Sequence, residues 1–204
     1  MVSVQDVVSR ETMDRLTEYV SILLKWNKSI NLIGRATETD IWNRHIADSY
    51  QVFAHRPASP TLWLDMGAGG GLPGIVIALL AQELKNSLKT VLIESDQRKC
   101  VFLESAARAL DLDVVVISQR IETADSIGAD VVSARALAPL EKLLALAGRH
   151  RAEDCTFLFP KGVNHKAEIA GSVNLGHPQP DILLNPVNRE SVILRYEFGS
   201  HASD

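Results

Sequence analysis

The pattern of apolar and polar positions is helical throughout the first 56 or so residues. Ser9 can cap a helix that ends near Lys28, because its hydroxyl can accept a hydrogen bond from the first turn. One face of this helix would carry Met13, Leu16, Val20, Leu23 and Leu24. Thr37 or Thr39 can cap a second helix that ends near Phe53. The buried side of that helix would hold Ile41, His45 and Val52.

Residues 55–60, HRPASP, end the helical pattern because prolines and a serine break a helix. Beyond them, short β-branched runs alternate with helical runs. These runs predict strands at 61–66, 89–94, 113–117, 130–134 and 155–159, and helices at 73–84, 97–110 and 139–149. Such alternation is typical of a parallel sheet with helices on both faces. We therefore expect a helical N-terminal segment at 1–58 and a second domain at 59–204.

The last part of the chain departs from this alternation. Candidate strands at 181–184 and 191–198 are separated only by NPVNRE, which is too short for a helical crossover. An antiparallel hairpin should therefore complete the sheet. The charged run GRHRAED, at 148–154, is interpreted as a solvated loop. The predicted fold class is α/β, a Rossmann-like and mostly parallel seven-stranded sheet that ends in an antiparallel hairpin.

Composition excludes only a few classes of function. The chain has 204 residues, of which 46% are hydrophobic and 23% charged, with a net charge of −4. No global basic field indicates nucleic acid, although a local basic patch can exist on an acidic protein. Cys100 and Cys155 lack metal-ligand spacing, so we expect buried free thiols and no metal site. Without a signal peptide or a membrane-spanning run, we expect a cytoplasmic monomer that binds neither membrane nor DNA.

The sequence LDMGAGGGLPG, at residues 64–74, lies between the first strand and the first helix of the predicted sheet domain. Ligands of open parallel sheets bind outside the carboxyl ends of the strands, where glycines allow sharp turns and close approach. Gly69, Gly71 and Gly74 match the dinucleotide fingerprint GxGxxG. A second spacing also fits, in which an acid is followed by glycine at every second position. It consists of Asp65, Gly67, Gly69 and Gly71.

The rest of the chain favours the second spacing. Glu94 suits both spacings, because it ends the second predicted strand, where a carboxylate can accept both hydroxyls of an adenosine ribose. A P-loop is excluded because no Gly-Lys-Ser/Thr follows the glycines, and a second mononucleotide-binding half with its own glycine turn is missing. Asp65 precedes the first glycine and can reach a cationic amino group. S-adenosylmethionine, with one ribose and one ammonium, therefore fits this loop better than NAD.

Further motifs follow in order along nearly the whole chain. They are WNKSINL (26–32), RHIADS (44–49), DMGAGGGLPG (65–74), ESDQRKCVFL (94–103), RIE (120–122), SARAL (133–137) and PKG (160–162). In this combination the sequence resembles the RsmG (GidB) family, which methylates nitrogen 7 of a guanine in bacterial 16S ribosomal RNA. The resemblance implies a seven-stranded methyltransferase sheet behind a helical segment. It also implies S-adenosylmethionine as cofactor and 16S ribosomal RNA or the small ribosomal subunit as partner.

The resemblance implies roles for individual residues as well. Gly67 and Leu72 would line the cofactor site, Ile121 and Glu122 would flank the adenine, and Arg135 would lie at the reactive end. Two positions depart from the family pattern. Glu94 stands where the family usually has Asp, which preserves the carboxylate. Pro160 replaces a small or aliphatic residue, which leaves the path of the 160–162 loop open.

Basic residues near the same edge of the sheet are candidates for contact with RNA phosphate. They are Arg44, Arg120, Arg135 and Lys161, and a guanidinium there can form forked hydrogen bonds. Within RHIADS, the side chains at i, i+3 and i+4 share one helix face. Those side chains belong to His45, Asp48 and Ser49. Parallel side chains converge poorly as a catalytic triad, and two credible ligands are too few for zinc. A polar cluster that docks the helical segment is the favoured interpretation.

We assign no catalytic base, because nitrogen 7 of neutral guanine has a lone pair and no proton. Two other function classes stay open from the sequence. One is a small NAD-dependent oxidoreductase that uses Gly69, Gly71 and Gly74. The other is a non-catalytic RNA-binding module for ribosome assembly that kept the cofactor pocket.

Overall fold

A computed structural model describes residues 4–84, 87–186, 188 and 190–199. Its strands are β1 (Leu62–Met66), β2 (Lys89–Glu94), β3 (Val114–Ser118), β4 (Ala129–Ser133), β5 (Arg151–Lys161), β6 (Asp181–Leu184) and β7 (Val192–Phe198). Its α-helices are α1 (Arg10–Asn27), α2 (Asp48–Ala54), α3 (Gly74–Glu83), α4 (Gln97–Ala109), α5 (Leu140–His150) and α6 (His165–Asn174). A short 3₁₀-helix, Val4–Asp6, precedes α1.

The strands form one seven-stranded sheet in the order β3-β2-β1-β4-β5-β7-β6. Strands β1 to β5 run parallel, and β7 pairs antiparallel with both β5 and β6. All seven predicted strands and the antiparallel hairpin are therefore confirmed. In the predicted connection NPVNRE, positions 187 and 189 lie outside the described residues. The chain order reverses between β1 and β4, so the carboxyl ends of these neighbours flank the place where such sheets bind ligands.

The helical prediction for the N-terminal segment is half right. Ser9 caps α1 as expected, with its hydroxyl oxygen accepting a hydrogen bond from the Thr12 amide at 3.1 Å. The single second helix is wrong, because residues 35–54 form a 3₁₀-helix (Arg35–Asp40), a π-helix (Trp42–Ala47) and α2 in succession. Thr37 and Thr39 lie inside the 3₁₀-helix, and neither side chain caps a helix. The Thr37 hydroxyl instead donates to the Gly34 carbonyl at 2.7 Å.

Two further differences concern the second half. The charged run 148–154 is not a loop, because α5 continues to His150 and β5 begins at Arg151. Its charges are tolerated at a strand start where Arg151, Glu153 and Asp154 remain exposed. Helix α6 escaped prediction because only Ile169 and Ser172 of its side chains are buried, which leaves no apolar stripe to detect.

Helices cover both faces of the sheet. One apolar cluster joins helices α1 to α4 to one face, and a second joins α5 and α6 to the other. The N-terminal segment shares the first cluster, since Trp26 lies edge-on to Phe102 of α4 with ring centroids 5.8 Å apart. The domain boundary near residue 58 remains a prediction. Cys100 and Cys155 are buried free thiols, as predicted. Within the described ranges, no helix is long and apolar enough to cross a bilayer.

Candidate active site

The loop after β1 needs glycine for its backbone conformation. Gly67, Gly69 and Gly71 have φ angles of +67°, +53° and +76°, a region that other residues rarely adopt. A Cβ on Gly67 would lie 2.6 Å from a Leu137 methyl carbon, and one on Gly71 would lie 2.5 Å from Cγ1 of Ile75. The alternation of glycines in the sequence is thus an alternation of left-handed backbone. It lets the loop pass over the end of β1 and enter α3.

Asp65 lies beneath this loop, and only 1% of its surface is exposed. Its Oδ2 accepts the Gly74 amide at 3.0 Å, and its Oδ1 accepts the Ser133 hydroxyl at 2.8 Å. Ser133 in turn accepts the Trp63 indole N–H at 2.9 Å. Burial raises the pKa of Asp65 to about 7, while the hydrogen bonds from Ser133 and Gly74 act in the opposite direction. Asp65 therefore fastens the start of α3 to β4.

Glu94 ends β2 beside the loop. Its Oε2 accepts the Gly69 amide at 2.9 Å, and its Oε1 accepts the amides of Ser95 and Asp96 at 2.7 and 2.9 Å. The carboxylate is held in one orientation by backbone groups on both sides. A carboxylate has about four acceptor positions, and three are occupied here, so Oε2 retains capacity for a hydrogen bond from a ribose.

A cavity of about 340 Å³, called the first cavity here, opens at the carboxyl ends of β1 to β4. Seven predicted site residues line it: Gly67, Gly69, Glu94, Arg120, Ile121, Glu122 and Arg135. Its wall also includes side chains that sequence reasoning missed: Gln119, Leu137, Lys142 and Leu146. Leu137 ends the motif SARAL, but neither it nor Leu146 was predicted as a site residue, because isolated apolar residues in loops and helices are indistinguishable from core. The predicted residues Asp65, Gly71 and Leu72 are buried and do not line the cavity.

A second cavity of about 430 Å³ adjoins the first. The two share Arg135 and the segment 136–138 that follows β4. The second is otherwise lined by Asp48, Pro160, Lys161, Gly162, Glu168 and Ser191. Ala136 has φ +53°, an unusual conformation for alanine that gives the shared segment a sharp turn. Such strained backbone is often found where a ligand is bound.

Arg135 lies at the junction of the two cavities and is half-buried. Its Nη1 donates to Nδ1 of His45 at 2.9 Å and makes a longer contact of 3.4 Å with the Arg44 carbonyl. Burial lowers the pKa of the guanidinium, and the acidic groups of Asp48, Tyr19 and Asp65 oppose this shift. Glu122, on the wall of the first cavity, pairs with Lys142 at 3.4 Å. Arg135 thus faces the N-terminal segment.

The cluster of His45, Asp48 and Ser49 docks the N-terminal segment, as the sequence predicted. His45 meets Arg135 after β4, and the Asp48 carboxylate accepts a hydrogen bond from the Asn185 amide after β6. The Ser49 hydroxyl donates to the His45 carbonyl one turn earlier, at 2.7 Å, which stays within the helix. Burial raises the pKa of Asp48.

The remaining basic candidates differ in exposure. Arg44 and Arg120 are exposed, as RNA contacts would need to be. The side chain of Lys161 is only 9% exposed, and its ammonium pairs with Glu168 at 2.7 Å. It also donates to the Ala138 carbonyl at 3.0 Å. Lys161 therefore fastens α6 to the segment after β4. RNA contact by Arg44, Arg120, Arg135 and Lys161 stays a prediction.

Solved structures of methyltransferases share the fold of this chain. A SAM dependent methyltransferase from Aquifex aeolicus matches with a TM-score of 0.61 and 12% identity, covering 86% of this chain and 97% of that one. A ribosomal protein L11 methylase from Lactobacillus delbrueckii subsp. bulgaricus matches with a TM-score of 0.60 and 16% identity, covering 74% and 77%. These likenesses show the fold. It is the fold of S-adenosylmethionine-dependent methyltransferases, with the first cavity at the ligand-binding edge of the sheet.

Sequence relatives define the family within that class. The model of the GidB family, rRNA small subunit methyltransferase G, matches residues 12–175. A ribosomal RNA small subunit methyltransferase G of Cereibacter sphaeroides is 48% identical over 95% of this chain and 93% of its own length. A protein of the same name from a Ruegeria species is 47% identical over 92% and 91%. The chain belongs to the GidB family, and it is an S-adenosylmethionine-dependent methyltransferase, which confirms the resemblance. These relatives support neither the oxidoreductase nor the non-catalytic module.

Proposed function

We propose that this protein transfers the methyl group of S-adenosylmethionine to nitrogen 7 of a guanine in small-subunit (16S) ribosomal RNA. The observation that carries the proposal is the pair of adjoining cavities that share Arg135. A group transfer between two ligands requires two sites whose reactive ends meet. The first cavity suits the cofactor, and the second suits the target base. The ribosomal substrate of its relatives supports a cytoplasmic enzyme, and we propose that it acts as a monomer.

Several groups of the first cavity fit S-adenosylmethionine. The Glu94 carboxylate would accept the ribose hydroxyls, and Ile121 with Glu122 would flank the adenine. Gly67 and Gly69 would let the cofactor approach their backbone, since both line the cavity and carry no side chain. Gly71, Leu72 and Asp65 would act from below, by fixing the path of the loop. Asp65 would therefore affect the cofactor ammonium only indirectly, through the path of that loop.

The reaction that fits this site needs no general base. When bound, S-adenosylmethionine supplies a methyl group on a sulfonium, and the guanine nitrogen carries the lone pair that accepts it. The protein has to hold the two reacting atoms at about 3–3.5 Å in line, which is catalysis by proximity and orientation. Arg135, at the junction, would orient the reacting groups through its forked donors. The base must first leave its stack, and this unstacking costs a few kcal/mol. The walls of the cavities would then exclude water from the reacting atoms.

Basic side chains near the two cavities would hold the RNA backbone. Arg44 and Arg120 are exposed, and Arg120 also lines the first cavity. Forked hydrogen bonds from a guanidinium to phosphate suit these positions. Lys161 would contribute indirectly, because its ion pair with Glu168 holds the wall of the second cavity.

Methylation mapping tests the proposal. Small-subunit RNA and intact small subunits from cells that lack this protein would be incubated with the enzyme and methyl-labelled cofactor. Borohydride and aniline treatment then cleaves the RNA at 7-methylguanine. We expect one new cleavage site, with the better of the two substrates showing whether the enzyme acts on naked RNA or on the particle. Label at another atom, or no label in either substrate, would refute the proposal.

A further inference from the structure

We infer that His45 is a positioning residue, held in a single neutral tautomer by Thr37, which orients Arg135 at the junction of the two cavities. The inference rests on the proposed role of Arg135. It concerns a chain of hydrogen bonds that begins in the 3₁₀-helix Arg35–Asp40 and ends at the guanidinium. His45 lines neither cavity, so it would act on methyl transfer through Arg135 and not by contact with a reactant.

The direction of every hydrogen bond in this chain follows from its chemistry. The Arg135 guanidinium has only donors, so Nδ1 of His45, 2.9 Å away, must accept and carry no proton. The remaining ring proton then lies on Nε2, which is 2.8 Å from the Thr37 hydroxyl oxygen. That hydroxyl donates its own proton to the Gly34 carbonyl at 2.7 Å, so its oxygen can only accept the hydrogen bond from His45. One tautomer alone satisfies all three contacts.

The surroundings of His45 also favour the neutral ring. The residue is 8% exposed, and it faces the cations of Arg135 and Arg44 as well as the carboxylate of Asp40. Burial, followed by the two arginines, lowers the pKa of His45 to about 4, and Asp40 opposes them only weakly. An imidazolium would also place an N–H against the N–H of Arg135. At neutral pH the ring therefore acts as a fixed acceptor.

The helix geometry explains how one segment supplies two acceptors to the same guanidinium. His45 lies within the π-helix Trp42–Ala47, a widened turn of a kind that is often found at functional sites. The His45 ring and the Arg44 carbonyl both contact Nη1 of Arg135. With this nitrogen engaged by the segment, the orientation of the whole planar guanidinium is restricted. Its other edge would then be presented to the ligands in one fixed direction.

Nitrogen NMR of the folded protein tests the tautomer without any measurement of activity. Long-range proton–nitrogen correlation of the histidine rings at pH 7 would be assigned to His45 by comparison with the His45→Phe variant. We expect Nδ1 to show the shift of an unprotonated nitrogen and Nε2 that of a protonated one. The opposite tautomer or an imidazolium would overturn the inference, whatever the protein methylates.

Kinetics test the action through Arg135. Thr37→Val removes the acceptor for Nε2, whereas Thr39→Val changes an exposed threonine of the same 3₁₀-helix and is the matched control. We expect methyl transfer per folded molecule to fall about fivefold for Thr37→Val, as for the loss of one hydrogen bond, and to be unchanged for Thr39→Val. His45→Phe should lower it at least tenfold or so, and His45→Asn, whose carbonyl can replace Nδ1, should recover part of the loss.

A double-mutant cycle separates positioning from a general structural role. In an Arg135→Ala background, His45→Phe should have no further effect on transfer per folded molecule, because the group that it orients is gone. Independent, multiplying losses would overturn the inference. If the wild type transferred no methyl group at all, the proposed function would fail, but the NMR result would still decide whether His45 holds Arg135 as a neutral acceptor.

Discussion

The first cavity is lined by loops that follow four neighbouring parallel strands, whereas the second gathers residues from distant parts of the chain. Gly67, Glu94 and Ile121 each lie within a few residues of a strand end. Asp48, Lys161 and Ser191 of the second cavity come from the N-terminal segment, the end of β5 and the start of β7. With the proposed assignment of the cavities, cofactor binding would be local to each strand-and-loop unit. Target binding would instead depend on how the N-terminal segment and the hairpin pack on the sheet.

The largest effect is expected from Gly71→Val, which would disturb the backbone of the loop beside the first cavity. The φ of +76° and the 2.5 Å approach to Ile75 leave no room for a side chain. We expect the affinity for S-adenosylhomocysteine, measured by calorimetry, to fall more than about a hundredfold, while circular dichroism shows most helices and strands intact. Gly171→Ala, at an open helical position, is the control and should bind normally. Normal binding by Gly71→Val would show that the loop is only a packing element.

Glu94→Ala should produce the next largest loss. It removes the ribose acceptor and also leaves three backbone amides without their partner. Charge-assisted hydrogen bonds are worth about 1.5–3 kcal/mol, so we expect affinity for S-adenosylhomocysteine to fall about ten- to a hundredfold. Glu94→Asp keeps the carboxylate and should lose only a small part of this. If the folded alanine variant bound as tightly as wild type, Glu94 would have no role in cofactor binding.

These two residues illustrate why the first cavity could be predicted. Glycines at left-handed positions and an acid at a strand end occur at recognisable spacings in the sequence. Parallel strands then place their carboxyl ends at one edge of the sheet, so these residues are expected to lie together. The sequence placed Asp65 in the same group, yet the structure has it below the loop, bound to Ser133 and Gly74. Spacing predicts which strand end a residue belongs to, but it does not tell which face of the loop its side chain meets.

Arg135→Lys tests the junction between the cavities. Lysine keeps the charge but loses the fork and can replace only one contact to the N-terminal segment. We expect methyl transfer to small-subunit RNA to fall at least about tenfold, equivalent to ~1.4 kcal/mol or more. The free energy of unfolding should fall by no more than about 1 kcal/mol, the size of one hydrogen bond. Arg108→Lys in α4 serves as the control. Lower stability with unchanged transfer per folded molecule would make Arg135 purely structural.

The smallest effect on catalysis is expected from Lys161→Met, which concerns the wall of the second cavity. Because the ion pair with Glu168 is largely buried, its loss should lower the free energy of unfolding by about 1–3 kcal/mol. Lys142→Met breaks the exposed pair with Glu122 and should lower the free energy of unfolding far less, because water screens that pair. Urea denaturation compares the two. A stable Lys161→Met variant with a raised KM for RNA would restore Lys161 as a direct RNA contact.

The second cavity could be predicted only in part, because its residues depend on tertiary packing. The motif RHIADS pointed to a docking cluster, and His45 and Asp48 do reach the sheet domain. The π-helix that contains His45 left no local pattern in the sequence. Neither did the burial of Lys161, which pairs with Glu168 of α6. Helix α6 itself was missed for the same reason. The roles of residues that connect distant segments can be inferred only from the three-dimensional structure.

A crystal structure with S-adenosylhomocysteine and a guanine-containing oligonucleotide would test most directly that the two cavities hold the two reactants. We expect adenosine in the first cavity, with its ribose on Glu94 and its adenine beside Ile121. We expect the guanine in the second cavity, with nitrogen 7 directed across Arg135 towards the sulfur. A cofactor seated in the second cavity, or a guanine bound away from Arg135 with its nitrogen 7 turned from the sulfur, would show that the two cavities do not hold the two reactants in this way.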